Sequence, residues 1–453
     1  MSLFARSGFK GGAVAVAAAV LAGAMLLPER SAGEPESFDA GHWRRAFARP
    51  SAAPAPPENP TTPAKAALGQ RLFSDPRLSG SNGVACSTCH QAELSFSDGV
   101  ARRAGLEGEA LARRTPSLWN LAWGRTFFWD GRARSLEDQA AFPIENRHEM
   151  GGNLVQSAHE LSLDADLRAS FAKAFPTEPN PVSSDTISKA LAAFERTLVS
   201  PPTRFDRWVA GDDHALTTEE FAGLKLFAGK AGCVSCHTGW RFTDEAFHDI
   251  GLPEATPADL GRGAVLGLPA VDHAFKTPSL RERIWTAPYM HDGSLSALED
   301  VVAHYVGGIT RRPTLSRDLK PDLLLSPDEM GQLVAFLATL SSEDPPRPAA
   351  VESRVQTVDG ASAAPVSTTQ VGQKARKFTP SAVALRPGQS LTIVNDDVRT
   401  HTVSIAGAQT TFSSEAMEPG DRVILPFKEA GAFQVICGIH PEMRLDVTVE
   451  PAQ

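Results

Sequence analysis

Two copies of Cys-x-x-Cys-His, Cys86-Ser-Thr-Cys89-His90 and Cys233-Val-Ser-Cys236-His237, constrain this chain more than any other feature. Two thiols at that spacing with histidine directly behind the second match the way c-type haem is held. The sulfurs add to the porphyrin vinyl groups and the imidazole binds iron. A disulfide framework or a structural zinc site has no need of that histidine, and the cysteine count of 5 is odd. His90 and His237 lie 147 positions apart (237 minus 90), and the same order of elements precedes each motif. A tandem pair of mainly α cytochrome c-like domains is the economical reading.

Helical spacing over 64–73 leads through a turn with Pro76 and Gly80 to the first motif. Spacing over 219–227 leads through Gly229 and Gly232 to the second. A helix over 185–199 closes the first lobe, because Ile187, Ala190, Leu191, Phe194 and Leu198 share one face. A helix over 326–340 closes the second, opened by an N-cap serine, a first-turn proline and a capping-box glutamate in Ser326-Pro-Asp-Glu329.

A length of 453 residues suggests about three domains. Hydrophobic content of 42% and charged content of 21% describe a soluble globular protein. The net charge of -9 leaves no basic footprint for nucleic acid. At the N-terminus, Arg6 and Lys10 precede an uncharged run from Gly11 to Leu27, and Ser31-Ala32-Gly33 offers small residues for cleavage. This is export-signal architecture, with an uncleaved membrane anchor as the alternative. Export agrees with covalent haem attachment and places the protein in a bacterial periplasm. The stretch 34–60 is rich in proline and alanine and reads as a tether, with structure expected from about Thr61.

A Pro, Ala, Ser and Thr stretch follows the second lobe as a linker. From Phe378 to Glu450, short β-branched runs alternate with turns: 382–385, 390–394, 402–405, 422–425, 433–436 and 445–449. That spacing describes a small antiparallel β-sandwich. The fifth cysteine opens Cys437-Gly-Ile-His440-Pro-Glu-Met443 behind one run, and His401 follows another. Two imidazoles, a thiolate and a thioether suit copper in both oxidation states. The 437–443 loop, together with Asn395-Asp-Asp-Val-Arg-Thr-His401, resembles the cupredoxins with short ligand loops. The resemblance implies a Greek-key sandwich and one type 1 copper held by His401, Cys437, His440 and Met443.

Other stretches resemble the bacterial di-haem cytochrome c peroxidase family, MauG-type enzymes included, over about residues 60–343. They are Arg114-Thr-Pro-Ser-Leu-Trp-Asn120, Phe127-Phe-Trp-Asp-Gly-Arg132, Ser135-Leu-Glu-Asp-Gln139, Pro143-Ile-Glu-Asn146 and Glu149-Met150. In the second lobe they are Lys276-Thr-Pro-Ser-Leu280, Thr286-Ala-Pro-Tyr-Met-His-Asp-Gly293 and Leu298-Glu-Asp-Val-Val302. The resemblance implies two covalent haems: one with Cys86, Cys89 and proximal His90 that meets peroxide, and one with Cys233, Cys236 and His237 that relays electrons. Gln139 and Glu149 would flank the peroxide haem, with Glu149 moving the proton. Trp129 would stand between the haems.

Three positions matter. No histidine lies between His90 and Pro116, where many relatives carry one that must be displaced before peroxide binds. The peroxide haem is therefore expected to be open without reductive activation, with His148 as the nearest alternative ligand. In the second lobe, the family's methionine-or-tyrosine ligand falls 14 positions past His291, and that is Tyr305 (305 minus 291). Phenolate stabilises ferric and higher states; His304 and Met290 are the alternatives. The family's calcium between the haems uses an asparagine where this chain has Arg114, with Thr286 and Pro288 still offering carbonyls. Arginine cannot ligate calcium and already supplies positive charge, so the ion stays open.

The expected organisation is a signal peptide or anchor at 1–33, a tether at 34–60, the peroxide-haem domain at 61–203, the relay-haem domain at 204–343, a linker at 344–372 and the cupredoxin domain at 373–453. The leading function is reduction of hydrogen peroxide to water, with electrons from an external small cytochrome c or copper protein passing through the copper domain. One alternative uses peroxide to build a high-valent di-haem state that oxidises a protein or small molecule. The other is a non-enzymatic multicentre electron carrier. Relatives are often dimers, a property these residues do not decide, and a membrane enters only through an uncleaved N-terminus.

Overall fold

The computed structural model describes residues 38–254, 258–347, 365–406 and 412–450. The signal or anchor at 1–33, the start of the tether and most of the linker lie outside the described residues. Among the described residues, no helix is long and apolar enough to cross a membrane.

Each lobe is built on one crossing of two helices. In the first, Pro63–Phe73 crosses Ser184–Glu195; in the second, Thr218–Ala228 crosses Pro327–Ala338. All four begin on side-chain caps. Thr62 accepts from Lys65 N, and capping boxes form at Ser183 with Thr186, Thr217 with Glu220 and Ser326 with Glu329. Glycine lets the backbones meet. A Cβ on Gly69 would lie 1.9 Å from the Ala190 carbonyl oxygen, and a Cβ on Gly223 would lie 1.9 Å from that of Gln332. Gly69→Ala or Gly223→Ala is therefore expected to destabilise the haem-loaded protein by about 1–3 kcal/mol or more. At an exposed helix position the same change gains about 1 kcal/mol. A denaturant midpoint that rises in either variant would refute this account of the crossing.

The two lobes repeat even where the backbone is strained. Phe96 and Phe242, each just behind its haem motif, have φ of 56° and 57°, and Phe128 and Met290 have 68° and 69°. The lobes also exchange reciprocal hydrogen bonds: Arg114 N–H donates to the His291 carbonyl at 2.9 Å, and Lys276 N–H to the Trp129 carbonyl at 2.8 Å. Arg114 and Lys276 occupy matching places in the two Thr-Pro-Ser-Leu motifs, as do Trp129 and His291 in the two Asp-Gly motifs.

The tether expected at 34–60 is corrected over its described part. Ala40–Ala46 is helical, and Phe47, 0% exposed, stacks on Phe242 at 4.6 Å and meets Phe205 edge-on at 5.5 Å. Asn59 is buried between Glu137 and Lys65. Proline fixes φ without preventing packing, so aromatic anchors between prolines hold this segment against both lobes.

The C-terminal domain is a two-sheet sandwich. One sheet has the order Ala382–Leu385, Arg444–Val449, Gly431–Ile436, Ser404–Ala406, Phe412–Ser413; the other has Lys377–Thr379, Gln370–Lys374, Ser390–Asn395, Arg422–Pro426. The expectation of a wholly antiparallel sandwich needs correction. Gln370–Lys374 runs parallel to Ser390–Asn395, and Ala382–Leu385 runs parallel to Arg444–Val449. The chain leaves for the opposite sheet at Ala382–Leu385 before Ser390–Asn395 returns, and such a crossover makes the returning strand parallel. Gln370–Lys374 also begins inside the stretch expected as linker. Alternation along Arg444–Val449 buries Leu445, Val447 and Val449 and exposes the residues between them.

From Ala40 onward the described residues form one packed unit. The sandwich core is continuous with Phe247, Val271 and Ala274 of the second lobe. Around that apolar seam, Arg376 pairs with Asp244 at 2.8 Å and also with Asp318, and Arg399 pairs with Asp318.

Candidate functional site

Both haem motifs sit on single helical turns, Cys86–Cys89 and Cys233–Ser235. The His90 and His237 backbone N–H groups donate to the Cys86 and Cys233 carbonyls, each at 2.9 Å. Burial pushes the Cys86 and Cys233 thiols up to about 12, so neither is a ready thiolate. His90 Nδ1 lies 2.9 Å from the Phe96 carbonyl, and His237 Nδ1 lies 2.9 Å from that of Phe242. A carbonyl only accepts, so both rings carry the proton on Nδ1 and present a bare Nε2. Burial lowers both imidazole pKa values and keeps the rings in the neutral, ligating form.

In the second lobe, Cys233, Cys236 and His237 share a mostly apolar cavity of about 200 Å³ with Tyr305, Met290, Trp129 and Arg114. Tyr305 lies on a π-helical turn, His304–Gly308, a distortion that often marks a functional position. His304 is turned elsewhere, its Nε2 2.9 Å from the Ile250 carbonyl. Both tyrosines line the cavity that His237 lines, and Tyr289 donates its hydroxyl to the Arg283 carbonyl at 3.2 Å.

In the first lobe, Leu136–Glu145 buries Leu136, Ala140 and Ile144. Its other side presents Gln139, Phe142 and Pro143, with Asn146 one turn on. The Gln139 side-chain oxygen is buried without a hydrogen-bond partner, an orphan acceptor on that side. Asn146 donates to Glu149 Oε1 at 2.7 Å, and Glu149 is close enough to Cys89 to help raise its thiol pKa. Glu149, just past the end of this helix, thus lies in the neighbourhood of the first haem motif. Both nitrogens of His148 are engaged, Nδ1 with Glu109 at 2.7 Å and Nε2 with Arg147 at 2.9 Å.

Between the lobes, Trp129 Nε1–H donates to the Arg114 carbonyl at 3.2 Å. The buried Arg114 guanidinium donates to Ser97 Oγ at 3.0 Å and to the Thr286 carbonyl. A cation of the chain itself therefore occupies one of the two carbonyls expected to face calcium.

In the sandwich, His401 Nδ1 and His440 Nδ1 each lie 3.7 Å from Cys437 Sγ and 3.1 Å from one another. His401 Nε2 faces the Asp397 carboxylate at 3.2 Å and carries the proton, so its Nδ1 is bare. Two imidazole nitrogens facing each other beside a sulfur call for a cation. Such separations suit an ion about 2.0–2.3 Å from each donor. Burial lowers both imidazole pKa values, His440 well below the ordinary range. Met443 is buried in the same loop, and its carbonyl accepts from Cys437 N–H at 3.2 Å. Thr402 N–H points at Cys437 Sγ from 3.4 Å. The donor set is one that copper favours.

A family model described as di-haem cytochrome c peroxidase matches residues 63–214. Methylamine utilization protein MauG of Methylorubrum extorquens is 48% identical over 299 residues, spanning 66% of this chain and 84% of that one. The chain belongs to the di-haem cytochrome c peroxidase/MauG family. Its members are oxidoreductases that act on peroxide. Cytochrome c551 peroxidase of Pseudomonas aeruginosa is 36% identical over 61% of this chain and 79% of that one, so the family resemblance extends to proteins with both names. The crystal structure of a MauG-like protein associated with microbial copper homeostasis matches with a TM-score of 0.62 and 31% identity, over 67% of this chain and 97% of that one. The sandwich is an addition to the family's two-lobed frame.

Motif reading did not point to the residues that seat the sandwich on the lobes. Arg262 and Phe247 belong to no motif, and their partners lie far away in sequence. The Asp397–His401 pair was open to view, since a carboxylate four residues before a candidate ligand histidine is a usual way to orient it.

Proposed function

We propose that this protein is a periplasmic di-haem peroxidase that reduces hydrogen peroxide to water with electrons delivered through a type 1 copper held in its C-terminal sandwich. The observation that carries the reading is the seating of the Cys437–Met443 loop on the second lobe, beside the loop that bears Trp129. His401, Cys437, His440 and Met443 would hold copper, and soft sulfur mixed with imidazole suits both of its oxidation states. When bound through the two Cys-x-x-Cys-His motifs, haem c supplies iron that meets peroxide in one lobe and holds electrons in the other.

The chain's own residues do the rest. Glu149 takes a proton from one peroxide oxygen and returns it to the departing one, and Asn146 holds Glu149 Oε1 in place. Gln139 offers its unpartnered oxygen to the proton-bearing end of peroxide. His90 is held to one tautomer by Phe96, and Trp129 stands between the lobes as the relay. Each peroxide consumes two electrons and two protons and yields two waters. An external one-electron donor, a small cytochrome c or copper protein, supplies the electrons.

A second reading is favoured by Tyr305 and by the lack of any histidine between His90 and Pro116. In it, oxidising equivalents from peroxide are retained and passed to a protein side chain or small molecule, and the copper domain adds or removes electrons. Addition of peroxide to the fully oxidised protein separates the two. Rapid spectral recovery that needs reductant supports the first reading, and a persistent oxidised state supports the second. No reaction in either redox state would sink both.

Calcium is not needed between the lobes, because the Arg114 guanidinium already joins Ser97 to the Thr286 carbonyl. Elemental analysis is expected to find no stoichiometric calcium, and millimolar calcium should change peroxide reactivity less than about twofold. One tightly held calcium per chain would overturn this.

A further inference from the structure

We propose that Arg262 is a positioning residue that clamps the copper-ligand loop onto the Trp129 loop and so sets where electrons cross between the sandwich and the haem lobes. The proposal rests on the copper and haem reading above and goes further by naming the crossing point. Arg262 is 7% exposed. Its Nε–H donates to the Gly438 carbonyl at 2.9 Å, while Nη1 donates to the carbonyls of Asp130 at 3.0 Å and Gly131 at 2.9 Å. One planar fork thus joins the residue after Cys437 to the two residues after Trp129. Lysine could not reproduce that geometry.

The surroundings favour the same point. The guanidinium lies over the Phe247 ring at 4.4 Å, and Phe247 N–H reaches the Ile439 carbonyl at 3.4 Å. Gly131 is required for the approach, because a Cβ there would come within 2.2 Å of the Phe247 ring. Leu266 side-chain carbons would lie 3.2 Å from a Cβ on Gly438, so the loop is held from both sides. His440 is 3% exposed, so the ligand loop faces the second lobe and not solvent. Electron tunnelling falls steeply with distance and less steeply along covalent and hydrogen-bonded steps. Cys437, Gly438, Arg262, Asp130 and Trp129 make such a path with two hydrogen bonds and otherwise covalent steps.

The step itself moves one electron. The copper centre loses it and the haem pair gains it, with no bond made or broken, and an external photochemical donor starts the reaction by reducing copper. A competing crossing would use Arg376, which touches both the Ser235 carbonyl and Asp244 beside the second haem motif.

The test uses full-length protein carrying both haems, as wild type, Arg262→Leu, Arg262→Lys and Arg376→Leu. Flash reduction of copper, followed in the haem absorption, is expected to show transfer slowed at least tenfold in Arg262→Leu and by a smaller factor in Arg262→Lys, with static haem and copper spectra unchanged. Hydrogen exchange of segment 438–440 in copper-free protein should rise at least tenfold in Arg262→Leu, a readout that needs no copper. If the isolated protein lacks copper, the functional reading fails while the exchange arm still tests the clamp. Unchanged transfer in Arg262→Leu, or a loss confined to Arg376→Leu, overturns the proposal. If Arg262→Leu does not accumulate, the same criteria apply to Arg262→Lys.

Discussion

Replacing Glu149 with glutamine is expected to slow peroxide cleavage by about 10²- to 10⁴-fold, the usual weight of a positioned acid–base group. Glutamine keeps the shape and can still accept from Asn146 Nδ2 at the position now held by Oε1. It cannot take the first proton or return it. The alternative is that Glu149 only orders the loop around Asn146, whose side-chain oxygen also accepts from His148 N–H at 3.0 Å. A structural role of that kind predicts a loss of haem content or stability with cleavage intact. A catalytic role predicts unchanged haem absorption and unfolding midpoint, with a large loss in the rate of reaction with peroxide. Wild-type speed in the variant would remove Glu149 from the mechanism. Gln139→Leu is the companion change: it removes the orphan oxygen, and its effect should be smaller because the proton transfer itself is left intact.

The features legible in the sequence are those that chemistry keeps local. Haem attachment needs two thiols and an imidazole within five consecutive residues, and Cys437, His440 and Met443 fall within seven, so these sets announce themselves without a fold. Helix starts are local too, and Ser326 caps Pro327–Ala338 with Glu329 as its motif implies. What stayed hidden depends on distant partners. Phe47 lies in a proline-rich stretch and gains its meaning only from Phe205 and Phe242. Gln370–Lys374 has glutamine, glycine and lysine among its five residues and becomes a strand because Ser390–Asn395 pairs beside it. Arg262 looks like any surface arginine until the Gly438, Asp130 and Gly131 carbonyls converge on it. The same nonlocality explains why the sandwich was readable as a module but its seat on the second lobe was not.

Tyr305→Phe is expected to move the potential of the second-lobe haem by on the order of 0.1 V, within the roughly 0.8 V range that axial ligands span. It should also shorten any oxidised state that persists after peroxide at least tenfold. Burial pushes the Tyr305 phenol strongly up. Left to the protein alone it is a neutral phenol facing an apolar cavity. Only a metal charge supplied in that cavity would let it ionise, which is how bound ions reverse the pKa expected from burial. Phenylalanine keeps the ring and its packing on the π-helical turn but removes the oxygen, so lost packing would not explain a changed ligand-field spectrum. Met290 lines the same cavity and is the competing ligand. If Tyr305→Phe leaves the spectrum and potential as in wild type, Met290→Leu should change both, and the preference for a long-lived oxidised state loses its basis. If Tyr305→Phe alters the spectrum while Met290→Leu does not, the phenolate holds the site. The chain then joins a centre that stores oxidising equivalents to a copper module seated beside it.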